Sequence, residues 1–195
     1  MTTGILTAVA ASFPLVFIGE FGDKSQLMAM SFATRYRKST VVAGILIATS
    51  ILFGLSVAVG ASLGSFLPTD WIALVAGLVF VAFGLWTLRP EGEEEEDAKV
   101  KYGTSGLLTV VGAIVLAEMG DKTMLAAITL SAKENPIGVW VGAVVGMSLA
   151  DILAVFAGAW IAKRVSEKAI RYGSAALFIV IGVIMAIQGV RELTG

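Results

Sequence analysis

The chain has 195 residues, of which 57% are hydrophobic and 15% charged, and its formal net charge is −1. A soluble domain is typically about 45–50% apolar, so this composition and the mean hydropathy of +0.88 argue against an ordinary soluble domain. Cysteine is absent, which excludes disulfide bonds, and histidine is absent as well.

Six apolar segments follow one another along the chain, each long enough for a helix to span the hydrocarbon layer, which takes roughly 17–25 residues. Their approximate bounds are Ile5–Ala33, Thr40–Phe66, Trp71–Leu88, Ser105–Ala132, Ile137–Ala162 and Ile170–Arg191. The sequence therefore predicts an all-α, polytopic membrane protein. Two segments are longer than a straight span requires, so we expect a tilt or a break in them. In the first segment, Pro14, Gly19 and Gly22 are the predicted places for the break.

The opening residues Met1-Thr2-Thr3-Gly4 carry no positive side chain, and the apolar run continues past Ala33. A secretory signal peptide needs a basic start and a short apolar core. We therefore expect the first segment to be a retained helix.

The second half of the chain repeats the first at a constant offset of 98 residues. This offset superposes Glu20-Phe21-Gly22-Asp23-Lys24-Ser25 on Glu118-Met119-Gly120-Asp121-Lys122-Thr123. It also aligns identical residues in later segments, among them Ser50 with Ser148 and Gly84 with Gly182. Matches at one offset across three segments indicate a duplicated three-helix unit. We predict two repeats, residues 1–89 and 104–195, joined by an acidic cytoplasmic linker at 90–103.

Lysine and arginine are unevenly distributed among the connections between segments. The connections after odd-numbered segments hold ten of the fourteen, namely Arg35, Arg37, Lys38, Arg89, Lys99, Lys101, Lys163, Arg164, Lys168 and Arg171. The opposite side holds Lys133 and Arg191. The positive-inside rule then predicts cytoplasmic odd connections and non-cytoplasmic termini. Because each unit has an odd number of spans, the second is inserted upside down, as in secondary transporters whose sites lie near the midplane.

Acidic residues lie inside the predicted spans, where a single charge costs at least about 2.5–3.5 kcal/mol at the bilayer centre. They are Glu20, Asp23, Glu118, Asp121 and Asp151. Such residues are expected to be paired, protonated or bound to a cation. The two acids of each hexapeptide are three residues apart and therefore share a helix face. Two inverted repeats that meet at the midplane would bring four carboxylates together.

Lys24 and Lys122 offer a simpler interpretation, in which each forms an i,i+4 ion pair with the glutamate of its own hexapeptide. That interpretation leaves Asp23 and Asp121 without partners and does not explain why the hexapeptide occurs twice. We therefore favour an ion site, in which the lysines moderate the negative charge or hold the motif at a helix end.

Carboxylate, hydroxyl and carbonyl oxygens suit hard cations such as Mg²⁺, Ca²⁺ and Mn²⁺, whereas zinc and copper sites normally use imidazole or thiolate. The four motif acids are therefore the predicted metal ligands. Ser25 and Thr123 are candidate auxiliary hydroxyl ligands, and Gly22 and Gly120 could release backbone carbonyls from the helix. Protons compete with metal for the same carboxylates, which would couple the two movements. An inward proton gradient would then drive metal out of the cytoplasm.

Both hexapeptides resemble the E-x-G-D-[KR]-[TS] signature of the Gdt-one family of Ca²⁺/Mn²⁺:H⁺ exchangers, which includes the bacterial MneA-type manganese exporters. The resemblance covers essentially the whole chain, with its six spans, two motifs and polar central loop. It implies that Glu20, Asp23, Glu118 and Asp121 form the ion site. The short, leaderless chain is similar to the bacterial branch, which implies manganese export.

Asp151 departs from the repeat, because Phe53 stands 98 residues before it. It lies three residues after Ser148, on the same face of the fifth segment. Our hypothesis is that Asp151 carries protons or is an extra ligand unique to one half. The alternative is a polar tie between helices.

Two further features of the sequence each allow two interpretations. The acidic run at 91–97 could gather cations, although such runs are more often solvated linkers. Gly60 with Gly64, and Gly142 with Gly146, have the spacing that permits close helix contact, either within the bundle or in a homodimer.

The leading prediction is a secondary active transporter of the cell (inner) membrane that exchanges Mn²⁺, or next Ca²⁺, for protons. No enzyme activity, cofactor or nucleic-acid partner is expected. A passive divalent-cation channel could use the same site. An intramembrane metallohydrolase could also hold a metal between carboxylates, but the lack of histidine and the symmetry of the motifs argue against it. The G-x-x-x-x-G-K-[ST] phosphate-binding motif is absent, so an ATP-driven pump would need another subunit.

Overall fold

The computed structural model describes residues 2–66, 69–88, 105–161 and 167–194, and all regular structure in these ranges is helical. The helices are α1 (Thr2–Glu20), α2 (Lys24–Arg35), α3 (Lys38–Phe66), α4 (Thr69–Thr87), α5 (Gly106–Glu118), α6 (Lys122–Ser131), α7 (Pro136–Ile161) and α8 (Glu167–Thr194). The predicted all-α class is confirmed. Helices α1 and α2 together form the first predicted segment, and α5 and α6 form the fourth.

Three helices are long and apolar enough to cross a membrane, over Lys38–Phe66, Pro136–Ala157 and Tyr172–Arg191. Helices α1 and α2 count as a fourth span if this pair, bent by 71°, crosses as one unit. The apolar stretches Trp71–Thr87 and Gly106–Glu118 are shorter. The described residues thus provide three to four candidate spans, and the predicted six-span inverted arrangement stays a prediction.

Large apolar side chains are exposed over much of the bundle surface. Leu6, Trp86, Leu108 and Leu116 are all about 70% exposed, at 68%, 68%, 71% and 74%. Soluble monomers rarely expose large contiguous apolar patches, whereas lipid favours such a surface. The outer face of the bundle is therefore suited to contact with acyl chains.

Helix contacts follow the sequence repeat, in which α1, α2, α3 and α4 correspond to α5, α6, α7 and α8. Helix α1 packs against α7 as α5 packs against α3, and α2 packs against α7 as α6 packs against α3. The equivalent helices α3 and α7 contact each other, and so do α4 and α8. The core lies between α1, α3, α5 and α7, where Leu15, Ile45, Ile114 and Met147 are buried.

The paired glycines of α3 and α7 serve contacts inside the bundle. A side chain at Gly60 would overlap the Ile128 carbonyl and the Ser131 hydroxyl of α6. A side chain at Gly142 would likewise overlap the Ser12 hydroxyl of α1. These close approaches explain the small residues without any contact between protomers.

Some predictions fall on parts of the chain that the structure does not describe. The acidic linker at 90–103, with its run at 91–97, lies outside the described residues. The same is true of the basic residues Arg89, Lys99, Lys101, Lys163 and Arg164, on which the predicted orientation partly depends.

Candidate metal centre

Each hexapeptide forms a break between two helices. Helix α1 ends at Glu20 and α2 begins at Lys24, and in the second half α5 ends at Glu118 and α6 begins at Lys122. The glycine of each motif has a left-handed backbone, with φ of 83° at Gly22 and 84° at Gly120. Only glycine adopts this conformation without a steric cost, so the residue type follows from the local geometry.

The two breaks are also closed by equivalent contacts. The Gly22 N–H donates to Gln26 Oε1 at 3.0 Å, and the Gly120 N–H donates to Met124 Sδ at 3.3 Å. Gln26 and Met124 are themselves related by the offset of 98 residues. The side chain four residues after each glycine therefore satisfies the N–H that the break exposes.

The sequence placed the first break only approximately. Gly22 is correct, but Pro14 and Gly19 both lie within helix α1. Proline removes one helical hydrogen bond without ending a helix that neighbouring helices support. Gly19 instead gives room for close contact, because a Cβ atom there would lie 3.2 Å from Thr123 Cγ2 and 3.4 Å from the Phe178 ring.

The breaks bring the four motif acids together. One carboxylate oxygen from each of Glu20, Asp23, Glu118 and Asp121 lies within 4.8 Å of the other three. We call these four residues the carboxylate quartet. Glu20 is fully buried and Glu118 is 4% exposed. Two residues come from each of the two repeated halves of the sequence.

Several quartet oxygens have no hydrogen-bond donor, namely Glu20 Oε1, Glu118 Oε2 and Asp121 Oδ2. Buried acceptors without donors are costly, and negative charges at this separation repel each other strongly. A cation among them removes both costs. The donor set contains oxygen only, which fits a hard divalent cation better than zinc or copper.

Lys122, in the second repeat, contacts a quartet residue of the first repeat. Its Nζ donates to Asp23 Oδ2 at 2.9 Å, and the two side chains are 20% and 13% exposed. In the structure Lys122 forms its ion pair with Asp23 and not with Glu118, so the simple i,i+4 interpretation is wrong for the second motif. The objection that Asp23 would have no partner is also wrong, because Lys122 is that partner. The Lys24 side chain lies outside the described residues.

The predicted auxiliary hydroxyls are both buried, with Ser25 fully so and Thr123 2% exposed. Ser25 Oγ donates to Glu20 Oε2 at 3.4 Å, a long hydrogen bond at the edge of the quartet. Thr123 lies beside Gly19 at the end of α1. Both residues therefore lie next to the breaks from which the quartet is built.

Asp151 of α7 also lies close to this region. It is fully buried, and neither of its carboxylate oxygens has a hydrogen-bond partner by ordinary geometric criteria. The preceding residue, Ala150, accepts a hydrogen bond from Gln26, so Asp151 lies at the contact between α2 and α7. The quartet does not include it.

Sequence reasoning missed Gln26, which holds helix α2 against α7. Its Nε2 donates to the Ala150 carbonyl at 3.1 Å, while its Oε1 accepts from Gly22. A polar residue in an apolar segment, where the repeat has methionine, was the available signal.

The chain matches the family model described as "Divalent cation/proton antiporter GDT1" twice, over residues 8–95 and 106–193. Both matches begin and end 98 residues apart, the offset of the internal repeat. The chain therefore belongs to this family of membrane cation/proton transporters, which is not an enzyme class, and the predicted family resemblance is confirmed.

Several named relatives are similar to this protein over most of its length. The "Protein PAM71-homolog, chloroplastic" of Arabidopsis thaliana is 35% identical over 91% of this chain, which spans 60% of that relative's length. The "GDT1-like protein sll0615" of Synechocystis sp. is 34% identical over 92% of this chain and 97% of the relative. "GDT1-like protein 5" of Oryza sativa subsp. japonica is 27% identical over 97% of this chain and 98% of the relative. No solved structure matches the chain.

Proposed function

We propose that this protein exchanges a divalent cation, Mn²⁺ in the first place and Ca²⁺ in the second, for protons and thereby exports metal from the cytoplasm. The carboxylate quartet is the ion site, with Ser25 and Thr123 as auxiliary hydroxyl ligands. The observation that carries the proposal is the approach of four acids from two helix breaks to within 4.8 Å, several of their oxygens lacking donors.

The same oxygens provide the coupling. A dication satisfies the quartet when it is bound, and once it leaves, protons must replace it because four carboxylates cannot all stay ionised at this separation in a poorly solvated site. Metal and protons then occupy the quartet in turn. An inward proton gradient drives metal outward without a separate proton path.

The architecture that we propose is two inverted three-helix repeats, residues 1–89 and 104–195, with a cytoplasmic linker at 90–103 and both termini outside the cytoplasm. Equivalent helix pairs and equivalent breaks in the two repeats support it. The broken segments would each cross the membrane with the break near the midplane, where inverted-repeat transporters place their substrates. We place the protein in the cell membrane of a bacterium, where it acts alone or as a homodimer.

The proposal is tested with the purified protein in sealed liposomes. An imposed pH gradient should drive Mn²⁺ uphill, and Ca²⁺ less well, with proton movement in the opposite direction. Glu20→Gln and Asp121→Asn each remove one quartet charge and should reduce exchange at least tenfold. Glu134→Gln makes the same change at an exposed carboxylate and should leave exchange unaltered.

Two outcomes would contradict the proposal. Metal flux that follows only its own gradient, with no response to pH, would indicate a passive channel built on the same site. Full exchange in both quartet variants would exclude the quartet as the ion site.

A further inference from the structure

The two repeats differ at one pair of equivalent helix contacts. Where α2 meets α7, Gln26 donates to the Ala150 carbonyl and Asp151 is the next residue of α7. The equivalent residues of α6 and α3 are Met124 and Phe53. We call the α2–α7 contact the polar seam and the α6–α3 contact the apolar seam.

Asp151 has surroundings that a purely structural polar residue would not have. A polar tie between helices forms hydrogen bonds across the contact, as Thr49 and Ser148 do at 2.9 Å between α3 and α7. Asp151 is fully buried, yet both of its oxygens lack such a partner. An uncompensated buried carboxylate is destabilising, so its presence requires another reason.

Its position supplies that reason. The Ser25 hydroxyl donates to Glu20, and the next residue, Gln26, donates to the carbonyl of Ala150, the residue before Asp151. Ser25 and Asp151 therefore both lie where α2 contacts α7, next to the quartet. A cation that leaves the quartet toward α7 would meet a hydroxyl oxygen and then a carboxylate.

We propose that Asp151 is a fifth carboxylate ligand, which together with Ser25 gives the divalent cation a second binding position on the polar seam. This inference rests on the proposed function, because it assumes that the quartet binds the same ion. The apolar seam has a hydroxyl, that of Thr123, at the position equivalent to Ser25, but Phe53 stands where Asp151 would be. The fifth carboxylate therefore lies on one side of the quartet only.

The test is Mn²⁺ binding by purified full-length protein in detergent, measured by calorimetry and by the rise in unfolding midpoint that Mn²⁺ produces. Asp151→Asn should weaken Mn²⁺ binding by about tenfold, because loss of even a residue that only supports a metal ligand typically weakens metal binding by about 10–100-fold. Without metal the variant should unfold at the parent temperature or above it, because an unpartnered carboxylate has been replaced by a neutral amide.

The matched control is Ser56→Ala. Ser56 is a fully buried hydroxyl of α3 that donates to the Leu52 carbonyl of its own helix at 2.9 Å, and its equivalent in the second repeat is already Ala154. Its Mn²⁺ affinity should equal that of the parent protein.

Two results would overturn the inference. Parent-like Mn²⁺ affinity in Asp151→Asn excludes Asp151 as a ligand, including the case in which only proton movement changes. If Asp151→Asn without metal unfolds at a lower temperature than the parent protein, Asp151 stabilises the fold as a polar tie between helices. Glu20→Gln, measured alongside, separates this inference from the proposed function. If Glu20→Gln abolishes Mn²⁺ binding and Asp151→Asn does not weaken it, only the fifth ligand is excluded. If neither variant weakens Mn²⁺ binding, the quartet proposal fails as well.

Discussion

The ion pair between Lys122 and Asp23 predicts an uncommon mutational phenotype, in which loss of a charge weakens the fold and strengthens substrate binding. The Lys122 ammonium lies 2.9 Å from a quartet oxygen, and both side chains are largely buried. It therefore serves as a tethered cation that offsets part of the quartet's negative charge. The change that we consider is Lys122→Gln.

The expected loss of stability follows from that geometry. A hydrogen bond to a charged group contributes about 1.5–3 kcal/mol, and removal of one partner from a buried pair costs about 3–5 kcal/mol. Because this pair is partly solvated, we expect a loss of about 2–4 kcal/mol in the metal-free protein. At roughly 2–4 °C per kcal/mol for a chain of this size, the unfolding midpoint should fall by about 4–16 °C.

The effect on binding has the opposite sign. Two unit charges about 4 Å apart interact with about 4 kcal/mol at an effective dielectric constant of 20, so the ammonium opposes a dication in the quartet. Even a third of that value, about 1.4 kcal/mol, corresponds to a tenfold change in Kd. Lys122→Gln should therefore bind Mn²⁺ at least tenfold more tightly, and its turnover should fall because metal release becomes slower.

Calorimetry of Mn²⁺ binding and exchange in liposomes measure both effects. Lys122→Arg keeps the charge and should behave like the parent protein, and Lys168→Gln makes the same substitution at an exposed lysine. Weaker Mn²⁺ binding in Lys122→Gln would refute the reasoning, because Lys122 would then position Asp23 as a ligand and would not oppose the ion.

Three other experiments test the architecture. Gly22→Ala and Gly120→Ala place a side chain on a left-handed backbone, so each should lower the free energy of unfolding by about 1–2 kcal/mol and reduce exchange. The control is Gly112→Ala, which lies in open space within α5 and should lower neither quantity. Thermal unfolding and exchange in liposomes measure the two effects. Gly60→Ala would push α3 away from the Ile128 carbonyl of α6 and should lower stability by about 1–3 kcal/mol in thermal unfolding, and an unchanged midpoint would show that the two helices are not in such close contact. A double-mutant cycle with Thr49→Val and Ser148→Ala should give a coupling energy of about 0.5–1.5 kcal/mol, and strict additivity would mean that their 2.9 Å hydrogen bond contributes nothing.

Local chemistry made some of these features predictable from the sequence. The offset of 98 residues indicated two equivalent units, and Gly22 was one of three residues at which a break in the first segment was predicted. Both predictions needed only residue types and spacing, without any knowledge of contacts between helices. Gathering of the four acids needed one further assumption, that the two units meet face to face, and the structure agrees with it.

Contacts between the repeats were harder to predict. Lys122 is four residues after Glu118 in the sequence, but its ion-pair partner in the structure is Asp23 of the other repeat. This contact forms because the two helix breaks lie close to each other. Gln26 was missed for the same reason, since its partner, the Ala150 carbonyl, is 124 residues away. Pro14 misled because its effect on a helix depends on the neighbours that surround it.

The division of the quartet between the repeats has a mechanical consequence. Glu20 and Asp23 belong to one repeat, and Glu118 and Asp121 belong to the other. Any sliding or rocking of one repeat against the other must therefore change the spacing of the four oxygens. An ion bound at the proposed site would then be held or released as the two repeats shift, with no hinge needed inside either repeat.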